Sequence, residues 1–155
     1  MKYWLIKSEG DCYSIDDFKK DKRTAWTGIR NFQARNYMKE MKVGDLALFY
    51  HSSSEPSGIY GVAKVVALAH EDETSLDPND EHYDPKSIMY QFEGKGPLWE
   101  CVDVAFVQKL EKPISLEMIK KDKELKKMLV AQTGQRLSVM PVEEGHFKRC
   151  LMSSK

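Results

Sequence analysis

The chain has 155 residues, 41% hydrophobic and 31% charged, and its 24 basic and 24 acidic residues leave no net charge. This composition predicts one globular domain, residues 1–155, and argues against a polycation that binds nucleic acid through bulk charge. No apolar run approaches the ~20 residues of a membrane helix, and the N-terminus has no signal-peptide layout. Because Cys12, Cys101 and Cys150 are few and widely spaced, a disulfide framework or zinc ribbon is not expected. We predict a monomeric cytoplasmic protein.

Two segments of opposite charge stand out. Between Lys19 and Lys42, eight basic residues accompany two acidic ones, whereas the stretch from Glu71 to Asp84 holds seven acidic residues and no Lys or Arg. Such asymmetry can orient an anionic ligand toward the basic side. Two solvated surfaces explain the same pattern equally well.

The first third of the chain predicts a strand and two helices. Aromatic and branched residues at 3–7 predict the strand, and a turn follows at 8–11. Ser14 is placed to cap a short helix that has an acid at the capping-box position. Asn31 is placed to cap a second helix, which runs to Lys42. The core-facing stripe of this second helix is expected to comprise Ala34, Tyr37, Met38 and Met41.

The middle of the chain predicts an antiparallel pair. The apolar runs at 46–50 and 59–68 predict strands, and the loop between them is too short for a crossover helix. The acidic stretch up to Pro85 predicts a loop because it contains prolines and an Asn. Residues 88–92 predict a further short strand.

The last third predicts a clear strand at 99–107, which Pro113 is expected to end. Ser115 is placed to cap a helix that Gly134 is expected to break, and a short strand at 136–140 leads into a final helix. The inner face of the helix after Ser115 is expected to comprise Leu116, Ile119, Leu125, Met128 and Leu129. Five or six strands with peripheral helices predict an α+β fold, a mixed and partly closed β-barrel with flanking helices.

Catalytic and metal-binding motifs are not evident. The four His residues show no HxxxH or HExxH spacing, and the acidic stretch lacks the ligand positions of an EF-hand. Nothing matches a GxSxG elbow, a Walker loop or GxGxxG. His51 and Ser52 are adjacent on a strand and therefore point to opposite faces, which makes them a poor base–nucleophile pair. We expect no catalytic residue, no metal and no cofactor.

A binding site is better supported. The stretch from Trp26 to Asn36 joins a large aromatic residue to a Gly, two Arg and three carboxamides, groups that are costly to bury unpaired. Aromatic faces stack on bases, and carboxamides can pair with a base edge. Three polar segments also lie at the end of an otherwise apolar strand or at a helix start, and strand ends and helix starts can meet at one rim, where ligands bind. These polar segments are 7–9, 50–52 and 136–138.

Each of these residues also has a purely structural explanation. Trp26 can be a packed anchor of the core, Asn31 can serve only as the helix cap, and Arg136 can pair with a structural carboxylate. The residues by themselves leave these alternatives open.

The polar and aromatic segments resemble motifs of the EVE domain family, which belongs to the PUA-like superfamily with the YTH and ASCH domains. The resemblance implies a PUA-like β-barrel and a pocket for a modified base, either a modified cytosine in DNA or a modified nucleotide in RNA. Two positions depart from the family pattern: Gly10 stands where Pro is usual, and Met140 stands where Gln is usual. The matching segments are Tyr3–Glu9, Trp26–Asn36, Gly44–Asp45, Phe49–Ser52 and Arg136–Val142.

We therefore predict a nucleic-acid-binding module in which Trp26 stacks on the base and Ser8 and Asn31 read its edge. Lys7, Arg30 and Arg136 would hold phosphate or sugar. The full predicted set of ligand-binding residues is Lys7, Ser8, Trp26, Ile29, Arg30, Asn31, Tyr50, His51, Ser52, Arg136, Leu137 and Ser138.

Two other functions compete with this one. The first is a hydrolase of a modified nucleoside, as among ASCH-type relatives, with Lys7 and Glu9 as its polar groups. The second is a protein-interaction module, whose pocket would be filled by side chains.

Overall fold

The computed structural model describes four stretches of the chain: residues 1–9, 13–52, 56–132 and 136–154. For Glu9 only the main chain is described. The predictions that concern Gly10, Cys12 and Gly134 lie outside these stretches.

The described stretches contain six strands, five α-helices and three short 3-10 helices. The strands are β1 Tyr3–Glu9, β2 Arg23–Ala25, β3 Leu46–Ser52, β4 Gly58–Glu71, β5 Glu100–Ser115 and β6 Val139–Val142. The α-helices are α1 Ile15–Asp21, α2 Phe32–Glu40, α3 Pro85–Phe92, α4 Leu116–Lys121 and α5 Glu144–Ser153. The 3-10 helices are Glu73–Leu76, Leu125–Lys127 and Leu129–Ala131. Among the described helices, none is both long and apolar enough to cross a membrane.

The strands form one mixed sheet in the order β2-β5-β4-β3-β1-β6. β1 and β3 are parallel, whereas all other neighbours are antiparallel, including the predicted pair β3 and β4. The α+β class and the mixed sheet are thus confirmed. Across the four described stretches, no ladder joins the edge strands β2 and β6, so the sheet is not a closed barrel.

The first two predicted helix caps are confirmed. Ser14 and Asp17 form a reciprocal capping box at the start of α1, and the Asn31 side-chain oxygen accepts a hydrogen bond from the Ala34 N–H at 2.9 Å. The stripe on α2 faces the core, where Ala34 and Met38 are buried, although Tyr37 is only partly buried. A strand that the sequence did not predict, β2, precedes α2; its three residues carry too little pattern to be recognised.

The predicted strand at 88–92 is wrong, because these residues lie in α3. The Asp84 carboxylate accepts a hydrogen bond from the Lys86 N–H at 3.0 Å, and Pro85 occupies the first helical position. An acidic cap followed by Pro is a strong helix start, and it outweighs the short apolar run. The predicted loop before it is also partly helical, since Glu73–Leu76 forms a 3-10 turn.

Pro113 does not end β5, which continues to Ser115. The ladder between β4 and β5 shifts here, so residues 110–113 lie opposite Tyr60 alone. β2 pairs only with residues 103–105 on the other side of β5. The missing N–H of Pro113 therefore falls in a bulge, where a strand tolerates proline.

The helix predicted after Ser115 is divided into α4 and two 3-10 turns. Ser115 caps α4 as predicted, but Asp122 ends it: its carboxylate accepts hydrogen bonds from the N–H groups of Glu124 at 2.9 Å and Leu125 at 3.0 Å. Those bonds start a new turn. The predicted inner residues Leu125 and Met128 remain buried in the core despite the break.

Asp45 ties the start of β3 to the N-terminus and to the end of α2. Its carboxylate is almost fully buried and accepts hydrogen bonds from the Trp4 indole at 3.0 Å and from the N–H groups of Lys2 at 3.1 Å and Lys42 at 3.0 Å. Burial by itself would raise the pKa of Asp45. The hydrogen bonds outweigh it and hold this pKa below its ordinary value.

We expect Asp45→Asn to lower the free energy of unfolding by about 1–3 kcal/mol at pH 7. An amide offers one acceptor oxygen instead of two and turns its NH₂ toward an N–H donor. Because the pKa of Asp45 is lowered in the folded state, its stabilisation is present above the ordinary value of 3.8 and is lost as pH falls through the folded pKa. Urea unfolding at several pH values should show the two proteins converging in acid.

The matched control is Asp16→Asn, which removes an exposed carboxylate paired with Lys109. It should leave stability almost unchanged. Equal effects of the two substitutions at pH 7 would contradict the anchoring role of Asp45.

Candidate functional site

A cavity of about 480 Å³ opens at the edge of the sheet where β1 and β3 end. Because these strands are parallel and in register, Lys7 lies opposite Tyr50, and their polar ends reach the same edge. The Lys7 N–H donates to the Ser138 carbonyl at 2.8 Å, which brings the segment before β6 to the same place. The cavity is lined by Lys7, Ser8, Tyr13, Thr24, Ala25, Trp26, Thr27, Gly28, Ile29, Ser52, Glu81, His82, Arg136 and Ser138.

Trp26 forms an aromatic wall of this cavity and is also part of the core. The main-chain N–H of Trp26 donates to the Val102 carbonyl at 2.8 Å, which fixes the segment against β5. The indole meets Phe18 and Phe49 edge-on, with ring centroids 6.4 and 5.6 Å apart, and only 6% of the residue is exposed. The two explanations of Trp26 are therefore compatible: it is packed from behind and lines the cavity in front.

The acidic stretch packs directly on the Trp26 segment through Asp72. The Asp72 side chain is fully buried and accepts hydrogen bonds from the Gly28 N–H at 2.8 Å, Arg30 Nη1 at 2.9 Å and the Thr74 N–H at 3.0 Å. Burial by itself would raise the pKa of Asp72, but these bonds outweigh it and keep the pKa low. The stretch is thus not a separate solvated surface.

Arg30 extends this contact to the cavity wall. Its Nε and Nη2 donate to the His82 carbonyl at 3.0 and 2.7 Å, and this places His82 and Glu81 at the cavity. The His82 ring lies over Gly28, whose φ is +84°, and a Cβ on Gly28 would approach His82 Nε2 to 2.8 Å. Only glycine fits at position 28 without displacing the ring.

Half of the basic residues between Lys19 and Lys42 are likewise engaged within the protein. Arg35 donates to the Leu98 carbonyl at 2.8 Å and lies over the Trp99 ring. Arg23 pairs with Asp103, and Lys39 pairs with Glu100. Arg23 and Lys39 stay exposed despite these ion pairs, and Lys19, Lys20, Lys22 and Lys42 are exposed as well. The basic surface is therefore smaller than the sequence indicates.

Five of the twelve predicted ligand-binding residues lie outside the cavity lining. Arg30 binds Asp72, and Asn31 is exposed and caps α2. Tyr50 and Leu137 are buried, and the His51 ring stacks on Phe49 at 6.4 Å. The seven that line the cavity are Lys7, Ser8, Trp26, Ile29, Ser52, Arg136 and Ser138.

Seven lining residues were not among the predicted set. Four of them flank Trp26 in sequence, so their proximity to it was the available signal. Tyr13, Glu81 and His82 carry no local motif, because long-range contacts bring them to the cavity. The seven are Tyr13, Thr24, Ala25, Thr27, Gly28, Glu81 and His82.

The cavity combines cationic, hydroxyl and aromatic groups. Lys7 is partly buried, which lowers its pKa, and its Nζ lies 5.5 Å from the centroid of the Tyr50 ring. The Ser8 hydroxyl donates to the Tyr13 carbonyl, and Arg136 is exposed at the rim. Within the described stretches, no three His, Cys, Asp or Glu side chains are placed to hold a metal ion. Such a site can stack on a planar ring, exchange hydrogen bonds with it and attract an anion.

We expect Gly28→Ala to be more destabilising than Gly94→Ala. Both glycines have positive φ, which costs about 1–3 kcal/mol for another residue, but nothing lies within 4 Å of a Cβ at Gly94. Because the far end of the His82 ring can move, with 39% of the side chain exposed, the clash should add only about 0.5–1.5 kcal/mol at Gly28. Urea unfolding measures both effects, and the double variant Gly28→Ala/His82→Ala should recover the excess. Equal destabilisation by the two glycine substitutions would mean that His82 does not pack on Gly28.

Comparison with known proteins identifies the fold and the family. A family model described as the EVE domain matches residues 2–152. Thymocyte nuclear protein 1 of Homo sapiens is 36% identical over 163 residues, which span 94% of this chain and 70% of that protein.

Solved structures agree over the whole chain. The crystal structure of a protein from Pseudomonas syringae superposes with a TM-score of 0.91 at 37% identity and covers 99% of both chains. The crystal structure of human THYN1 protein in complex with 5-methylcytosine-containing DNA superposes with a TM-score of 0.89 at 36% identity, covering 100% of this chain and 98% of that one. With a family match over almost its whole length and the same fold in these structures, the chain belongs to the EVE domain family, as its motifs imply.

Proposed function

We propose that this EVE domain protein is a non-catalytic nucleic-acid reader that takes one modified base into the cavity beside Trp26. The observation that carries the proposal is an open cavity of about 480 Å³ with an aromatic wall, hydroxyl groups and two cations around it. Its volume falls within the ~300–1,000 Å³ typical of ligand pockets. A cavity of this size does not favour the interaction-module alternative, which requires a pocket filled by side chains.

The relatives favour a modified cytosine in DNA as the first candidate ligand. Human THYN1 protein has been crystallised with DNA that contains 5-methylcytosine, and it shares 36% of its residues and the fold with this chain. A modified nucleotide in RNA is the second candidate, because a cavity that receives a single extruded or unpaired base does not require a duplex.

The proposed roles follow the positions of the side chains. Trp26 stacks on the base because its ring is held edge-on by Phe18 and Phe49 and lines the cavity. Hydroxyl groups such as that of Ser8 bond with the base edge, and Lys7 and Arg136 attract phosphate or sugar. Asn31 and Arg30, which the sequence placed in direct contact with the ligand, instead hold the surrounding segments in position.

Binding without turnover is part of the proposal. Hydrolysis of a modified nucleoside requires a base within hydrogen-bond reach of the attacking water. Of the two groups that the sequence offered for it, Lys7 lines the cavity and the Glu9 side chain lies outside the described part of the chain. Turnover of acylated or alkylated nucleosides by the protein would contradict this part of the proposal. The cytoplasmic location and the monomeric state stay predictions.

Binding to a panel of oligonucleotides tests the proposal. The panel pairs 5-methylcytosine with cytosine and N6-methyladenine with adenine, in DNA and in RNA, and titration by fluorescence anisotropy gives each affinity. We expect one modified base to bind at least about fivefold more tightly than its plain counterpart, a difference of about 1 kcal/mol. Equal affinities within every pair would overturn the proposal.

Trp26→Phe should reduce this preference by about two- to fivefold, because a smaller ring stacks more weakly. The Phe substitution is preferred to Ala, since truncating a ring packed on Phe18 and Phe49 would cost about 3–5 kcal/mol of stability. Phe32→Leu, which changes a half-exposed ring outside the cavity, is the matched control. A preference that survives in Trp26→Phe would remove Trp26 from the proposed stacking role.

Arg136→Gln should weaken the binding of modified and plain oligonucleotides alike. It should also make the slope of log affinity against log salt less steep by about 1. Arg136 is exposed at the cavity rim, so its loss should not affect folding. Lys120→Gln removes an exposed charge outside the cavity and should leave the slope unchanged. A change in base preference without a change in slope would contradict the phosphate role of Arg136.

A further inference from the structure

Lys7 differs from the other lysines whose contacts the structure describes. Its side chain is partly buried and lines the cavity, and no carboxylate of a described side chain offsets the lowering of its pKa by burial. The other described lysines are exposed at the surface, and several of them pair with acids, for example Lys109 with Asp16 and Lys121 with Glu117. Lys7 thus places a primary amine inside the cavity, and although Glu81 lines the same cavity, no described carboxylate forms an ion pair with this amine.

From this geometry we infer that Lys7 Nζ captures an aldehyde group on the bound base as a reversible imine. The inference rests on the proposed function, since the base must first occupy the cavity. It extends the ligand class from alkylated to formylated bases, for which Lys7 Nζ contacts the base instead of phosphate or sugar. A methyl group on the base offers no electrophilic carbon, so such bases would bind without reacting.

The reaction balances without a further reactant. The Lys7 amine lone pair attacks the carbonyl carbon, and transfer of a proton from nitrogen to oxygen gives a carbinolamine. The hydroxyl group then leaves as water with the proton that remains on the nitrogen, and the nitrogen lone pair forms the C=N bond that joins Nζ to the base. Addition of water reverses the sequence and releases the aldehyde, so no oxidant or reductant is consumed.

Three features of the cavity favour this step. Holding the base beside the amine converts an encounter in solution into a reaction between fixed groups. Partial burial disfavours the ammonium form, and only the free amine is nucleophilic. The hydroxyl groups of Ser8, Ser52 and Ser138 line the same cavity and can bond with the carbinolamine oxygen or the departing water.

Reductive trapping tests the inference. The protein is mixed with an oligonucleotide that carries one 5-formylcytosine, and sodium cyanoborohydride reduces any imine to a stable amine. Intact mass spectrometry should show a one-to-one adduct, and peptide mapping should locate it at Lys7. The same oligonucleotide with 5-methylcytosine should give no adduct. An adduct spread over surface lysines, or none at all, would overturn the inference.

Two variants sharpen this result. Lys7→Arg keeps the positive charge but cannot form the imine, and we expect at least a tenfold lower yield of adduct. Lys120→Arg makes the same change at an exposed lysine outside the cavity and should trap as well as the unmodified protein. Equal trapping by Lys7→Arg would show that other lysines react. The mapping of the unmodified protein decides the matter even if Lys7→Arg does not fold.

Binding measured on the same samples separates the two proposals. Preference for a modified base without an adduct at Lys7 would refute the imine alone. Failure to prefer any modified base would refute the proposed function, whatever the trapping reaction yields.

Discussion

The buried carboxylate of Asp72 is the constraint on which the site depends. A carboxylate with no exposed area must be neutralised and hydrogen-bonded, and Gly28, Arg30 and Thr74 do so here. These bonds hold two segments of opposite charge against each other, although they are more than forty residues apart in sequence. The conformation of the Trp26 segment and the position of His82 both follow from this junction, so the cavity wall is determined by an ion pair that does not itself line the cavity.

The parallel pairing of β1 with β3 supplies the other side of the site. Polar residues at the ends of antiparallel neighbours would lie at opposite edges, whereas here Lys7 and Tyr50 face each other across the ladder. Asp45 fixes the beginning of β3. Because β1 and β3 pair in register along their whole length, the relative position of their far ends is fixed as well. A buried aspartate thus anchors each side: Asp45 secures the strands, and Asp72 secures the loops.

Local signals in the sequence were sufficient for much of the fold. The side chains of Ser14, Asn31 and Ser115 cap helices as predicted, because a cap depends on residues three positions apart. The polar strand ends also meet as expected. Where the prediction failed, distant contacts decided the outcome: Pro113 is accommodated because β4 is offset against it, and His82 reaches the cavity through Arg30. No pattern within a few residues of Pro113 or His82 encodes these contacts.

Residues near both ends of the chain line the cavity, so the cavity is completed late in synthesis. β6 pairs with β1, and Ser138 accepts a hydrogen bond from Lys7, so the cavity is incomplete until the last fifth of the chain has been synthesised. Until then one edge of β1 stays without its partner on the ribosome, with backbone groups open to other strands. Release of β6 from a folded molecule would reverse this last step and dismantle the cavity while β3, β4 and β5 remain paired.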